Sequence, residues 1–239
     1  MSPPDLALVA PYPTAGRRHA GPSGVASYTA NLAHALTSRG LRVDVVAPVE
    51  PEEPDDPRAA GSDDVLDGDV HVLRPFERGP SALPTASAAA LDTGAPVVHL
   101  QHETFLYGGP SAVPGLVPAL TSLRRARPSV VTLHQVVDPT TIDRGFTHLH
   151  RVNVPPWMAR LALGSVQRAA ASISSACIVH EASFSSVVPR SVVIPHGVER
   201  RPTPDRASAR ARLDLDDRFV ALCFGFLAPY KGLEAVLEA

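Results

Sequence analysis

The sequence predicts an α/β fold, an open parallel sheet with helices on both faces. Two observations predict it. Short, continuously apolar runs at residues 6–10, 41–47, 70–73, 97–101, 130–134, 176–180 and 192–195 have the length of strands buried on both faces, and most are separated by room for a loop and a helix. The first two runs also flank a helical pattern, which makes a strand–helix–strand unit with a parallel, right-handed crossover. Ligands of such sheets bind beyond the carboxyl ends of the strands, so chemistry is sought just after each run.

The elements follow in order. The first run stops at Pro11. Val25, Tyr28, Leu32, Ala33 and Leu36 then recur at three- and four-residue spacing, the pattern of an amphipathic helix, with Gly40 as its stop. Val43, Val45 and Val46 make the second strand. Residues 48–68, rich in Pro, Asp and Glu and without apolar periodicity, read as a solvated surface loop. Helical patterns at 116–127 and 157–171 lie between later strands. Around residues 199–217 charged and proline-containing sequence interrupts the rhythm. The expected division is therefore a domain at 1–198, a linker at 199–217, and the start of a second domain at 218–239. That start comprises a strand at 219–224, a loop at 225–231 and a helix opening at 232–239 with Leu233, Val236 and Leu237 on one side. One strand and one helix cannot close a core, so the second domain reads as incomplete.

Composition narrows the function. Acidic residues (24) and basic residues (22) nearly balance, which removes the electrostatic footprint of a dedicated nucleic-acid binder. The first residues lack a basic segment before an apolar stretch, and no run reaches the roughly 20 apolar residues that span a bilayer, so a cytoplasmic protein is expected. Cys177 and Cys223 both lie in short apolar runs without a close partner and read as reduced core thiols.

Candidate site residues cluster after strands. Ser23 and Gly24, within Gly21-Pro22-Ser23-Gly24-Val25, precede the first helix, where amides and the helix dipole favour a phosphate; the same glycines also read as simple relief of backbone strain. His99-Leu100-Gln101-His102-Glu103, with Gly108-Gly109 behind it, and Thr132-Leu133-His134 end two strands. Their imidazoles and carboxylate suit sugar hydroxyls, while His99 itself reads as a satisfied core histidine. No metal site is expected, because adjacent strand residues point to opposite faces. Lys231 before Gly232 at a helix start suits a diphosphate. Arg124, Arg125 and Arg127 read either as a solvated helix end or as a contact for anionic lipid headgroups or a phosphorylated acceptor.

In this order the chain resembles the retaining glycosyltransferases of family four, with their two-Rossmann-domain GT-B architecture. The likeness rests on Ala10-Pro11-Tyr12, the Gly21–24 segment continuing through Val25-Ala26-Ser27-Tyr28, Gln101-His102-Glu103 with Gly108-Gly109, Thr132-Leu133-His134, Ile194-Pro195-His196-Gly197-Val198, and Phe224-Gly225-Phe226 through Lys231-Gly232-Leu233-Glu234. It implies a Rossmann-like acceptor-side domain and an incomplete donor domain. It implies transfer of a sugar from a nucleotide-diphosphate sugar to a hydroxyl acceptor (glycan, lipid or small molecule) with retention, without cofactor or catalytic metal. Gly24, Lys231 and Gly232 would meet the donor phosphates, His134 the transferring sugar, and Ser23, His102 and Glu103 the acceptor or sugar. Residues 194–198 would lead into the hinge. Two departures stand out: Phe226 replaces an arginine common among relatives, and the family's paired-glutamate motif is missing. The expectation is an isolated chain with little activity, completed in a longer chain or by a second polypeptide, with peripheral membrane contact as a further implied partner. A silent carbohydrate- or partner-binding module, or another GT-B enzyme such as a sugar-nucleotide epimerase, are the alternatives.

Overall fold

Residues Ala7, Leu8 and Val9 are wholly buried in Leu6–Val9 (β1), as a central parallel strand requires. The structure, a computed structural model, describes residues 3–17, 23–50, 64–150, 152–198, 202–215, 217–223 and 233–238. It divides into two units, Met1–Gly197 and Val198–Ala239.

In the first unit β1 leads to Gly24–Thr37 (α1), capped by Ser23, whose Oγ accepts from the Ala26 N–H at 3.2 Å. Gly40, at φ +86°, turns the chain into Val43–Pro48 (β2). Asp64–Asp67 (β3) and Val70–Phe76 (β4) form a hairpin, followed by Ala82–Asp92 (α2) and Val98–His102 (β5). Val113–Ala126 (α3), Ser129–Leu133 (β6), Arg144–Leu149 (α4), Pro156–Ile173 (α5), Ala176–Val179 (β7), Ala182–Val187 (α6) and Ser191–Val193 (β8) complete the unit. The sheet order is β3-β4-β2-β1-β5-β6-β7-β8, parallel throughout except for β3.

Period-two alternation sorts the core into two layers. On one face Leu8, Val43, Val45, Ala47, Val70 and Val72 pack with Ala30 and Ala33 of α1. On the other, Val9, Val98, Leu100, Val131, Leu133 and Val179 pack with Leu83 and Ala86 of α2, Leu116 and Leu120 of α3 and Ala170 of α5. The predicted α/β class, a parallel sheet with helices on both faces, is therefore the architecture observed. β1 is paired to β2 on one side and β5 on the other, so the strand order reverses direction there, and the carboxyl end of β1 is the switch point at which the crevice of such sheets lies.

Three expectations are corrected. Residues 64–67 belong to an edge strand rather than a loop. β3 is short, carries an aspartate at each end and leaves Leu66 69% exposed, so it lacks the hydrophobic signature of the central strands. In the second unit, residues 219–223 carry no strand: Phe219 and Leu222 are 96% and 77% exposed. A parallel strand needs a neighbour for its backbone groups, and among the described residues of this unit only Arg206–Arg212 (α7) and Leu233–Glu238 (α8) are regular. For the same reason Cys223 is exposed, whereas Cys177 on β7 is buried as expected.

Candidate functional site

The loop from β1 to α1 is tied down from beneath. Arg74 of β4, buried, donates to the carbonyls of Tyr12 (3.0 Å), Pro13 (3.1 Å) and Pro48 (2.9 Å). Asp67 of β3 accepts from the Tyr12 hydroxyl (2.8 Å) and the Gly16 N–H (3.1 Å) and lies 3.1 Å from His34 Nε2. Burial pushes the Asp67 carboxyl up, but these hydrogen bonds outweigh it and the net direction is down, so the group stays ionised. The strand missed in the sequence thus supplies the anchor that places this loop at the crevice.

Beyond the loop, Ser23 and Gly24 begin α1. A Cβ added to Gly24 would meet no atom within 4 Å, and its φ is not in the left-handed region, so nothing in the folded chain demands glycine there.

Four neighbouring parallel strands each run into a histidine. His102 ends β5, His134 and His180 directly follow β6 and β7, and His196 lies just beyond β8. His134 is held from below by a polar chain on the α1 side of the sheet. Its Nε2 donates to Gln101 Oε1 at 2.7 Å, Gln101 Nε2 donates to His99 Nε2 at 3.2 Å, and Thr132 Oγ1 lies 2.8 Å from the same His99 nitrogen. His99 is therefore a partnered core residue, as read from the sequence, and burial lowers it to about 4. Burial foremost, and then the nearby histidines led by His180, lower His134 to about 3, which keeps its imidazole neutral at pH 7. Tyr28, one turn into α1, packs edge-on against His134 with ring centroids 4.8 Å apart. The helix start and the end of β6 thus face the same space.

His180 and His196 join them. His180 Nε2 is 3.3 Å from His134 Nδ1, and the His180 and His196 rings stack with centroids 3.7 Å apart. The sequence alone gives His180 no role at its strand end and marks His196 only as part of the path to the hinge. The signal available was the recurrence of a histidine at successive strand ends.

The remaining predicted residues separate. His102 alternates with Val98 and Leu100 onto the other face of the sheet, where it is buried against Tyr107 with its Nδ1 unpartnered. Burial lowers it to about 4. Glu103 is half-buried, and burial raises its carboxyl. Lys231 and Gly232 lie outside the described residues, as do Gly21, Pro22, Gly225 and Phe226. Of the three arginines on and after α3, Arg124 and Arg125 are exposed, while Arg127 donates to the Ala95 and Leu91 carbonyls. No described helix is long and apolar enough to cross a membrane.

A profile described as Glycosyltransferase Family 4 matches residues 22–201. Among solved structures, a sucrose-phosphate synthase from Thermosynechococcus elongatus is 16% identical, with a TM-score of 0.44 over 87% of this chain and 94% of that one. An alpha-glucosyltransferase in complex with UDP and a 13-mer DNA is 10% identical, with a TM-score of 0.40, covering 75% of this chain and 37% of the other. An alpha-glucosyltransferase in complex with UDP is 12% identical, with a TM-score of 0.39, covering 83% and 42%. No curated protein sequence matches significantly.

Proposed function

Because the chain belongs to glycosyltransferase family 4, we propose that it acts in transfer of a sugar from a nucleotide-diphosphate sugar to a hydroxyl acceptor, with the anomeric configuration retained and no cofactor required. The observation that carries this reading is the 4.8 Å contact of Tyr28 with His134, which sets a helix start beside a neutral imidazole. At Gly24 the absent side chain leaves open space over the first turn of α1, so a donor phosphate approaches amides whose dipole favours negative charge. His134 meets the hydroxyls of the transferring sugar. Lys231 and Gly232 neutralise the departing diphosphate. Ser23, His102 and Glu103 serve the acceptor or sugar, His102 from the other face of the sheet, where its Nδ1 is buried without a partner among the described residues.

The partners in this reading are the nucleotide sugar and the hydroxyl acceptor, with donor-side groups supplied by a longer chain or by a second polypeptide. Exposed Arg124 and Arg125 support peripheral contact with anionic lipid at the cytoplasmic face. The test is release of nucleoside diphosphate across a panel of nucleotide sugars, in the full protein, for the parent, His134→Ala and Lys231→Ala. Each variant should lose on the order of 10²-fold in rate. Rates equal to the parent in both variants would sink the assignment.

A further inference from the structure

Two imidazole nitrogens in the strand-end cluster, His180 Nε2 and His134 Nδ1, face each other at hydrogen-bond distance. His180 Nδ1 lies 2.9 Å from the Ile194 carbonyl, which only accepts, so the His180 proton sits on Nδ1 and its Nε2 carries a lone pair. With Gln101 Oε1 turned toward it, His134 Nε2 donates, and the His134 Nδ1 then carries a lone pair as well. These two lone pairs are 3.3 Å apart. In the neutral rings neither can donate to the other, and the contact is repulsive unless a cation lies between them.

We infer that His134, His180 and His196 form a binding site for a divalent transition-metal cation of the zinc class. Tetrahedral coordination with Zn–N bonds of 2.0–2.1 Å puts two ligand nitrogens about 3.3 Å apart, the spacing His134 and His180 already have. Each of these rings also uses its other nitrogen in a hydrogen bond, one to a side-chain amide and one to a backbone carbonyl, which is how outer partners orient metal-bound imidazoles. The third ligand is at hand. One ligand atom from each of the three histidines lies within 4.8 Å of the others, and His196, exposed on the segment after β8, reaches the ion by turning off its stack on His180. Tyr28 walls the group, its ring centroid 4.8, 5.4 and 5.5 Å from the three imidazoles. Three imidazoles suit zinc, copper, iron or nickel, and three protein ligands leave a fourth position for water or another ligand.

This site goes beyond the transferase reading, in which His134 offers the same Nδ1 to a sugar hydroxyl. Ion and hydroxyl compete for one lone pair, so a bound metal would hold that chemistry silent. Binding is therefore measured directly, without substrate. The metal-free full chain is titrated with Zn²⁺ by calorimetry and with Co²⁺ by visible absorption. The expected result is one equivalent per chain with the intense visible bands of tetrahedral Co²⁺. His180→Ala and His196→Ala should each weaken binding by at least about 100-fold, and Gln101→Leu by about 10–100-fold. Exposed His196 guards against a trivial loss of fold, and circular dichroism verifies each variant. His148→Ala, on α4, should bind as the parent does. Absence of saturable one-to-one binding, or binding that His180→Ala and His196→Ala leave unchanged, overturns the inference and leaves a shared proton as the cation between the rings.

Discussion

Replacing Gly24 by alanine separates a glycine kept for the ligand from one kept for the fold. The added Cβ meets no atom within 4 Å, the backbone is not left-handed, and the position is the first of α1. Alanine exceeds glycine by about 0.8–1.0 kcal/mol in a helix interior, and roughly half of that is a fair allowance for a first-turn position. A gain of about 0.5 kcal/mol raises the Tm of a domain this size by about 1–2 °C. If a donor phosphate packs on this turn, the same methyl occupies its path, and donor affinity should fall by about tenfold or more, equivalent to about 1.4 kcal/mol. Differential scanning fluorimetry and calorimetric titration with a nucleotide sugar that binds the parent measure the two effects separately. A Tm several degrees lower would show that the fold itself needs the glycine. Unchanged Tm together with unchanged affinity would remove Gly24 from the phosphate site.

Acid should weaken the fold through its buried histidines. His99 and His102 are lowered by burial to about 4, below the ordinary value of 6.5, so the unfolded chain binds protons between those limits that the folded chain does not. Stability contributed by the neutral rings is intact above 6.5 and is lost as pH falls toward about 4. At about pH 5 the loss is roughly 2 kcal/mol for each ring. Urea unfolding at pH 7 and pH 5 measures it, and equal midpoints would show these rings to be more hydrated than the structure has them. Gly108→Ala should be severe: φ is +123° and a Cβ would sit 2.6 Å from the Gly79 amide nitrogen. Backbone strain of about 1–3 kcal/mol plus the overlap predicts a Tm drop of several degrees, and a Tm matching the parent would mean that the turn yields.

Local patterns in the sequence determined a good deal. Continuous apolar runs marked β1, β2 and β4 to β8; the central ones need no polar side because they are covered on both faces, whereas the edge strand β8 leaves Val192 and Val193 exposed. The Val25-to-Leu36 spacing marked α1, and His134 stood out because it follows one of those runs. What lay beyond sequence reading depended on neighbours distant in the chain. β3 exists because β4 gives its backbone a ladder, and its aspartate-flanked residues carry no apolar signal of that pairing. Residues 219–223, apolar enough to suggest a strand, form none because none of the described residues in their unit pairs with them. The three-histidine group is the clearest case. His134, His180 and His196 are brought within 4.8 Å only because β6, β7 and β8 lie side by side in parallel, with their carboxyl ends in register. Each histidine was visible as a residue near a strand end, but hydrogen bonding between strands decided which ends are adjacent, and that order is a property of the folded sheet.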